Sequence, residues 1–170
     1  LESEVKFMCK NCFFVSPIGE EDSKERIRSN KVMKYLLKPV LSDLGFKITR
    51  ADEINSTDKI DDSIYKNLYK SDLVIVDITG LNPNVFLELG YRMSLNHHLN
   101  NSPLIIIKDE CDKSKIPFDI VTHPVNQYTF DVEGSDDFKI KLKSIINAID
   151  FKQKRVTLVN AKGERLFIKD

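Results

Sequence analysis

A short apolar run followed by a helix-forming segment most constrains how this chain can fold. Residues 73–76 are Leu-Val-Ile-Val, a β-branched composition typical of a strand buried on both faces of a parallel sheet. Asp77 ends the run, and a loop follows. Asn84 is placed to cap the next helix, which carries Glu88 in or just after its first turn. The segment therefore predicts two carboxylates at the carboxyl edge of a sheet, where open α/β folds bind ligands.

Similar segments extend this unit along the chain. Apolar runs predict strands at 12–15, 73–76 and 103–107, and the more mixed segments 46–49 and 126–130 predict two further short strands. Helical patterns occupy about 23–44, 57–70, 84–95 and 135–149. This alternation predicts an α/β fold, with a doubly wound, flavodoxin- or Rossmann-like parallel sheet of about five strands. Pro39 lies inside the first helical pattern and predicts a kink or break there.

The last twenty residues differ in kind from the rest. Two apolar segments, 156–159 and 165–168, flank Asn160-Ala161-Lys162-Gly163, a pattern that predicts a β-hairpin. We therefore expect one domain over residues 12–150. A linker or β-hairpin appendage over residues 151–170 follows it, and whether this segment leads to a further domain stays open.

Composition and charge narrow the class of partner. The chain has 170 residues, of which 41% are hydrophobic, enough for a core. Its 26 basic and 26 acidic residues give a net charge of +0, so nothing predicts attraction to nucleic acid or to an anionic membrane. No apolar run reaches the roughly 18 residues that span a bilayer, and no signal-peptide pattern is present. These features predict a cytoplasmic protein without a membrane partner.

Three cysteines are too few for a disulfide framework. Cys9 and Cys12 have the spacing of half a zinc site, but the sequence offers neither a second cysteine pair nor a suitable histidine pair. We therefore predict no metal site and no bound cofactor.

Glu88 and Asp77 are the candidates for chemistry. The dipole and free amides of a helix's first turn lower the pKa of a carboxyl group, so we expect Glu88 to be ionised at neutral pH. An ionised carboxylate in a pocket suits cleavage at the anomeric carbon of a sugar, because it stabilises or traps oxocarbenium charge. Asp77 would bind the departing base or a ribose hydroxyl. Alternatively, Asp77 only begins a turn and Glu88 lies on a solvated helix face.

The turn after the first predicted strand is the candidate for binding phosphate or ribose. It consists of Ser16, Pro17, Ile18 and Gly19. Backbone amides, a hydroxyl and a following helix N-terminus suit those groups, and Arg28 adds positive charge nearby. Asp52, at the end of the second strand, suits ribose hydroxyls, although an ordinary loop acid also fits. Neither a dinucleotide fingerprint nor a P-loop occurs, so redox NAD and ATP-driven chemistry lack support.

Four segments together carry a resemblance to a known family. They are Phe-Val-Ser-Pro-Ile-Gly at 14–19, Arg-Ala-Asp-Glu-Ile at 50–54, the strand and loop at 71–80, and Asn-Pro-Asn-Val-Phe-Leu-Glu-Leu-Gly at 82–90. Over roughly residues 13–149 the chain resembles the nucleoside 2-deoxyribosyltransferase-like proteins, relatives of bacterial TIR domains. The resemblance implies that Glu88 is the catalytic nucleophile or oxocarbenium stabiliser. It also implies that Asp77 binds base or sugar, and that the turn at 16–19 binds ribose or phosphate.

The resemblance further implies an activity and a setting. TIR relatives use a helix-borne glutamate to cleave NAD at its nicotinamide ribosyl bond, often as oligomeric effectors of bacterial anti-phage defence. We therefore expect an N-glycosidase with NAD as the favoured substrate and a nucleoside or nucleoside monophosphate next. The expected assembly is a homo-oligomer with a fused or partner sensor domain.

Asn82 and Asn84 depart from the pattern of the transferases. These enzymes commonly carry a further acidic residue in this stretch for base recognition, where the chain has the two asparagines. We assign both to substrate binding, and the departure weakens deoxyribosyl transfer more than N-glycosidic cleavage in general. The alternative function is a non-catalytic module of the same fold that binds a nucleotide signal or another TIR-like domain.

Overall fold

Five parallel strands form the centre of the computed structural model, which describes residues 9–54, 60–99 and 102–151. The strands are β1 (Lys10–Val15), β2 (Phe46–Arg50), β3 (Leu73–Asp77), β4 (Leu104–Asp109) and β5 (Val125–Tyr128). Their order in the sheet is β2-β1-β3-β4-β5, and every neighbouring pair is parallel. The register sets Phe14 beside Ile75 and Ile75 beside Ile105, so apolar side chains form rows across the sheet. The predicted five-stranded, doubly wound α/β fold is confirmed.

Helices cover both faces of this sheet. They are α1 (Lys24–Lys31), a π-helical turn (Val32–Leu37), α2 (Lys38–Asp43), a 3-10 turn (Ala51–Glu53), α3 (Ile60–Lys70), α4 (Pro83–Leu99), α5 (Phe118–Val121) and α6 (Val132–Asn147). The π-helical turn, α2 and α6 pack against Phe14 and Ile75. Helices α3, α4 and α5 pack against Phe13, Val74 and Val76. Alternate strand residues thus face opposite helical layers, as a doubly wound sheet requires.

The strand order fixes where a ligand would bind. From β1 the chain crosses to β2 on one side, and β3 lies on the other side of β1. Connections diverge at such a point and leave a crevice beyond the carboxyl ends of the strands. The segments after β1 and β3, which contain most of the predicted site residues, lie at this crevice.

Pro39 does not end the first helix. The amide of Lys38 donates to the carbonyl of Met33, five residues earlier, so Val32–Leu37 form a widened π-helical turn. Proline lacks an amide hydrogen and its ring crowds the preceding turn, which a wider turn accommodates. The predicted kink or break therefore takes the form of a widened turn, and the helix runs on to Asp43. Gly45 follows with φ +76, the left-handed conformation that stops a helix.

Helix α4 begins two residues earlier than expected. The side chain of Asn82, not that of Asn84, is the capping group, because its Oδ1 accepts from the Asn84 amide at 2.9 Å. Pro83 then occupies the first helical position, where its missing amide hydrogen costs nothing. Glu88, expected in the first turn of α4 or just after it, therefore lies in the second turn.

The predicted hairpin lies outside the described residues. Only Phe151 of that segment is described, and its ring packs edge-on against Phe46 at a centroid distance of 5.4 Å. The division at residue 150 therefore stays a prediction. Among the helices of the described ranges, none combines the length and apolar character needed to cross a bilayer.

Candidate active site

Glu88 lines a cavity between α3 and α4. The cavity has a volume of about 310 Å³, and its described lining consists of Ile64, Tyr65, Asn84, Leu87 and Glu88. The Tyr65 ring is held by an edge-to-face contact with Tyr91, with the ring centroids 4.9 Å apart. The result is a small pocket with an aromatic wall, an amide and one carboxyl group.

Burial raises the pKa of Glu88 to about 7. The expectation that the helix dipole keeps this carboxyl ionised at neutral pH is wrong for two reasons. The residue lies in the second turn, where the dipole has faded, and its side chain is half-buried beside apolar neighbours. At pH 7 the group is about half protonated, a poise that suits acid, base or anionic roles in catalysis.

Asp77 lies on the opposite face of the sheet, with 0% of its surface exposed. Its carboxylate accepts hydrogen bonds from the Thr79 amide at 3.0 Å, the Thr79 hydroxyl at 2.5 Å and the Tyr128 hydroxyl at 2.9 Å. Burial raises the pKa of Asp77, and these donors oppose the rise. Asp77 shares the strand face of Ile75, which packs under α2 and α6, whereas α4 packs on the face of Val76. The expectation that Asp77 and Glu88 line one shared hollow is therefore wrong, because the two acids lie on opposite faces of the sheet.

Arg28 belongs to the Asp77 network. Its Nη2 donates to the Thr79 carbonyl at 3.3 Å, and its buried Nε has no hydrogen-bond partner within the described residues. The positive charge of Arg28 opposes the burial that raises the pKa of Asp77. The Thr79 hydroxyl also accepts from the Asp109 amide at 2.9 Å, so one threonine joins the ends of β3 and β4. The phosphate-binding role of Arg28 stays a prediction.

The turn at 16–19 is held by a second buried network. The Ser16 hydroxyl lies 2.5 Å from the Ser29 hydroxyl, which accepts from Arg50 Nη1 at 2.6 Å. Ser16 and Pro17 are buried, while Ile18 and Gly19 are partly exposed. The side chain of Ser16 is thus engaged within the protein. The surface open to a ligand comes from Ile18 and Gly19.

Asp52 is the ionic partner of Arg50. Its two oxygens accept from Arg50 Nε at 2.6 Å and Nη2 at 2.9 Å, and Arg26 Nη1 lies 3.1 Å away. Burial acts to raise the pKa of Asp52, but both arginines outweigh it and the pKa falls below its usual range. Arg50, whose side chain is almost fully buried, is a residue to which sequence reasoning gave no role. Its position at the end of a strand, two residues before an acid, was the available signal. Ribose binding by Asp52 stays a prediction.

The contacts of Asp112, in the loop after β4, were also not predicted from the sequence. Asp112 Oδ2 accepts from the Gly80 amide at 2.9 Å and pairs with buried Lys108 Nζ at 3.0 Å. Leu81, the residue after Gly80, has a φ of +52, a conformation that is energetically unfavourable for a residue other than glycine. The contacts of Asp112 therefore help to hold the strained loop that leads into α4. The sequence showed here only a charged loop.

A side chain at Gly19 would displace the cap of α1. Ser23 Oγ accepts from the Arg26 amide at 3.1 Å, and a Cβ at position 19 would lie 2.3 Å from that oxygen. We expect Gly19→Ala to lower the free energy of unfolding by about 1 kcal/mol, measured by urea denaturation, because the cap is lost. Gly90→Ala, where a Cβ meets open space in a helix, is the control and should not destabilise. Equal stabilities for both variants would contradict the clash.

The predicted site residues therefore fall into three groups. Glu88 and Asn84 line one cavity, Asp77 and Arg28 share one buried network, and Ser16 and Asp52 are joined through Ser29 and Arg50. Asn82 caps α4 rather than lining the cavity. Within the described ranges, no three histidine, cysteine or acidic side chains gather closely enough to hold a metal ion.

No family model matches the sequence, and no curated protein matches it. Among solved structures, the chain is similar to the lysine decarboxylase LdcF of Francisella novicida, with 15% sequence identity and a TM-score of 0.47. The match covers 85% of this chain and 18% of that one, so the chain spans less than a fifth of that protein. A similarity at this level carries no argument about activity.

Proposed function

We propose that this protein cleaves the N-glycosidic bond of a nucleotide, with Glu88 as the reacting carboxyl group. The observation that carries the proposal is a half-buried carboxyl group with a pKa of about 7 in a cavity of about 310 Å³. That volume is near the lower end for small-molecule pockets and suits a nucleoside-sized group. The sequence resemblance, which assigns the catalytic carboxylate to Glu88, supports the same reaction.

The reaction needs one anionic group close to the anomeric carbon. As the C–N bond breaks, its electron pair leaves with the base and positive charge develops on the sugar ring. The Glu88 carboxylate stabilises that charge or bonds to the anomeric carbon, and water then supplies the hydroxyl of the free sugar. NAD is the favoured substrate because its cationic nicotinamide leaves as a neutral molecule without needing a proton.

Other residues in the cavity and in the loops after β1 and β3 would support this step. Tyr65 offers a ring face and Asn84 an amide to a planar base in the cavity. Asp77, being buried, would act by fixing the β3–α4 loop through Thr79 rather than by touching the substrate. The exposed part of the turn at Ile18 and Gly19 would contact ribose or phosphate.

One observation favours a binding module instead. Within the described lining of the cavity, Glu88 is the only carboxyl group and no side chain is basic. Prolonged incubation of concentrated protein with NAD, followed by chromatography, separates the two functions. Release of nicotinamide supports cleavage. Saturable binding with all NAD recovered intact supports the module that recognises a nucleotide without reacting.

The pH dependence of cleavage should report the ionisation of Glu88. Only the carboxylate stabilises positive charge, so kcat/KM for NAD should rise with pH and level off with an apparent pKa near 7. Initial rates of nicotinamide release between pH 5 and 9 measure this. A rate that instead falls above pH 7 would assign Glu88 the role of a proton donor.

Stability must be followed over the same pH range. The folded-state pKa of Glu88 is raised from 4.5 to about 7, so its contribution to stability is present at low pH and lost as pH rises through 7. Thermal melts recorded at each pH distinguish a gain in rate from a change in the folded fraction. Glu88→Gln, which does not titrate at this position, is the matched control for that trend.

A further inference from the structure

A second cavity opens between the first helix and the edge strand β2. Its volume is also about 310 Å³, and its described lining consists of Asn30, Met33, Lys34, Lys38, Arg50 and Glu53. None of these residues lines the Glu88 cavity. Met33 packs in the core layer opposite α4, so the two cavities belong to different faces of the sheet.

The helix beside this cavity is strongly basic although the chain is neutral. Residues 24–38 contain six basic side chains and one acidic, and the net charge of the whole chain is +0. Two of the six, Lys34 and Lys38, are exposed and line the cavity. Residues four apart on a helix lie on one side, so both ammonium groups reach the same opening.

The described acidic lining only weakly offsets this positive charge. Glu53 Oε1 lies 3.9 Å from Lys38 Nζ, at the outer limit of an ion pair, and both side chains are exposed. Lys34 Nζ lies 5.1 Å from the centroid of the exposed Tyr35 ring, a contact that leaves its charge in place. The other oxygen, Glu53 Oε2, accepts from the Arg50 backbone amide at 3.3 Å, so two cations face one carboxylate held at the opening.

The buried side of the described lining consists of apolar Met33 and charged Arg50, each 4% exposed. The Arg50 guanidinium is fixed by Asp52, Ser29 and Asn30, with Nη2 donating to Asn30 Oδ1 at 2.8 Å. That bond orients the Asn30 amide and does not use its NH₂ group. Met33 and Lys34 belong to the π-helical turn, and such turns often occur at functional sites.

We propose that this second cavity binds the phosphate group of a ligand. Lys34 and Lys38 would donate charge-assisted hydrogen bonds to phosphate oxygens, and the Asn30 amide would donate a third. Glu53 would oppose the anion and weaken the affinity. The site is separate from Glu88 and does not depend on N-glycosidic cleavage.

Calorimetry with inorganic pyrophosphate, AMP and adenosine tests the proposal. We expect saturable binding of pyrophosphate and AMP, with affinity falling as salt increases, whereas any binding of adenosine should be the same in the native chain and in the lysine variant described next. The double variant Lys34→Ala/Lys38→Ala should bind pyrophosphate at least tenfold more weakly. Lys141→Ala, which removes an exposed lysine on α6, is the matched control and should bind as the native chain does. Glu53→Gln should bind about threefold more tightly.

Three outcomes would overturn the site. They are absence of saturation with both phosphate-bearing probes, unchanged affinity in the double lysine variant, and loss of affinity in Glu88→Gln, which would move the binding to the first cavity. Amide chemical shifts mapped by NMR provide a second reading, with changes expected at Asn30 and Lys34. The variant Lys34→Gln/Lys38→Gln repeats the charge removal with longer side chains if the alanine variant loses helix content. Tighter binding of AMP than of pyrophosphate would identify the source of the phosphate as a nucleotide.

Discussion

Glu88→Gln is expected to lower nicotinamide release from NAD by at least about 10³-fold while leaving the fold intact. Glutamine keeps the size and hydrogen-bonding shape of the side chain but carries no negative charge. It can neither stabilise an oxocarbenium ion nor bond to the anomeric carbon. The half-buried site already raises the pKa of the carboxyl, so a neutral amide should be tolerated.

This prediction needs two measurements on the same protein. The turnover assay uses concentrated or crowded protein to favour assembly, with nicotinamide quantified by chromatography. Urea denaturation should show a free energy of unfolding within about 0.5 kcal/mol of the native value. Glu25→Gln, an exposed glutamate in the first turn of α1, is the control and should keep full turnover. Native turnover in Glu88→Gln would remove this residue from the mechanism.

Arg92→Met is expected to destabilise the fold by about 3–5 kcal/mol. The Arg92 side chain is 0% exposed, and its guanidinium donates to the Leu68 carbonyl at 2.6 Å and to the Ser71 and Pro103 carbonyls at 3.1 Å. These three carbonyls lie at the end of α3 and at the start of β4. Methionine fills similar volume, so the loss should come from buried acceptors left without donors rather than from a void.

Urea denaturation measures this effect against two further variants. Lys66→Met, at an exposed position of α3, should change the free energy of unfolding by less than about 0.5 kcal/mol. Arg92→Lys should give an intermediate loss, because one ammonium group cannot serve three carbonyls in the geometry of a guanidinium. A loss below about 1 kcal/mol in Arg92→Met would show that solvent or neighbouring groups replace these hydrogen bonds.

The three central strands, β1, β3 and β4, were predictable because each contains a continuous apolar run, whereas β2 and β5 are mixed in composition and were predicted from the alternation of strands and helices. Leu73–Asp77 and Leu104–Asp109 contain little besides large aliphatic side chains, and only a sheet covered on both faces accommodates such runs. Helix limits were harder, since they depend on caps. Two asparagines flank Pro83, and only the hydrogen bond from the Asn84 amide to Asn82 decides between them.

The predicted site residues do not lie together as one group in the structure. Strand alternation assigns Asp77 to the same face as Ile75, a parity that the sequence already contained. Which helix covers that face depends on the path of each crossover, which local patterns do not encode. The raised pKa of Glu88 likewise arises from packing against α3, a neighbour that the sequence around Glu88 does not reveal. The same reason hid Arg50, because two of its partners, Ser29 and Asn30, come from α1, about 20 residues earlier in the chain.

The separation of the polar networks from the Glu88 cavity has an evolutionary consequence. The buried networks of Asp77 and Arg50 lie on one face of the sheet, whereas Tyr65, Asn84 and Leu87 line the pocket on the other. Substitutions at these three positions would change the shape of the pocket without removing a side-chain hydrogen bond of those two networks. Divergence in ligand preference is thus open to this chain through few mutational steps, each compatible with an intact fold.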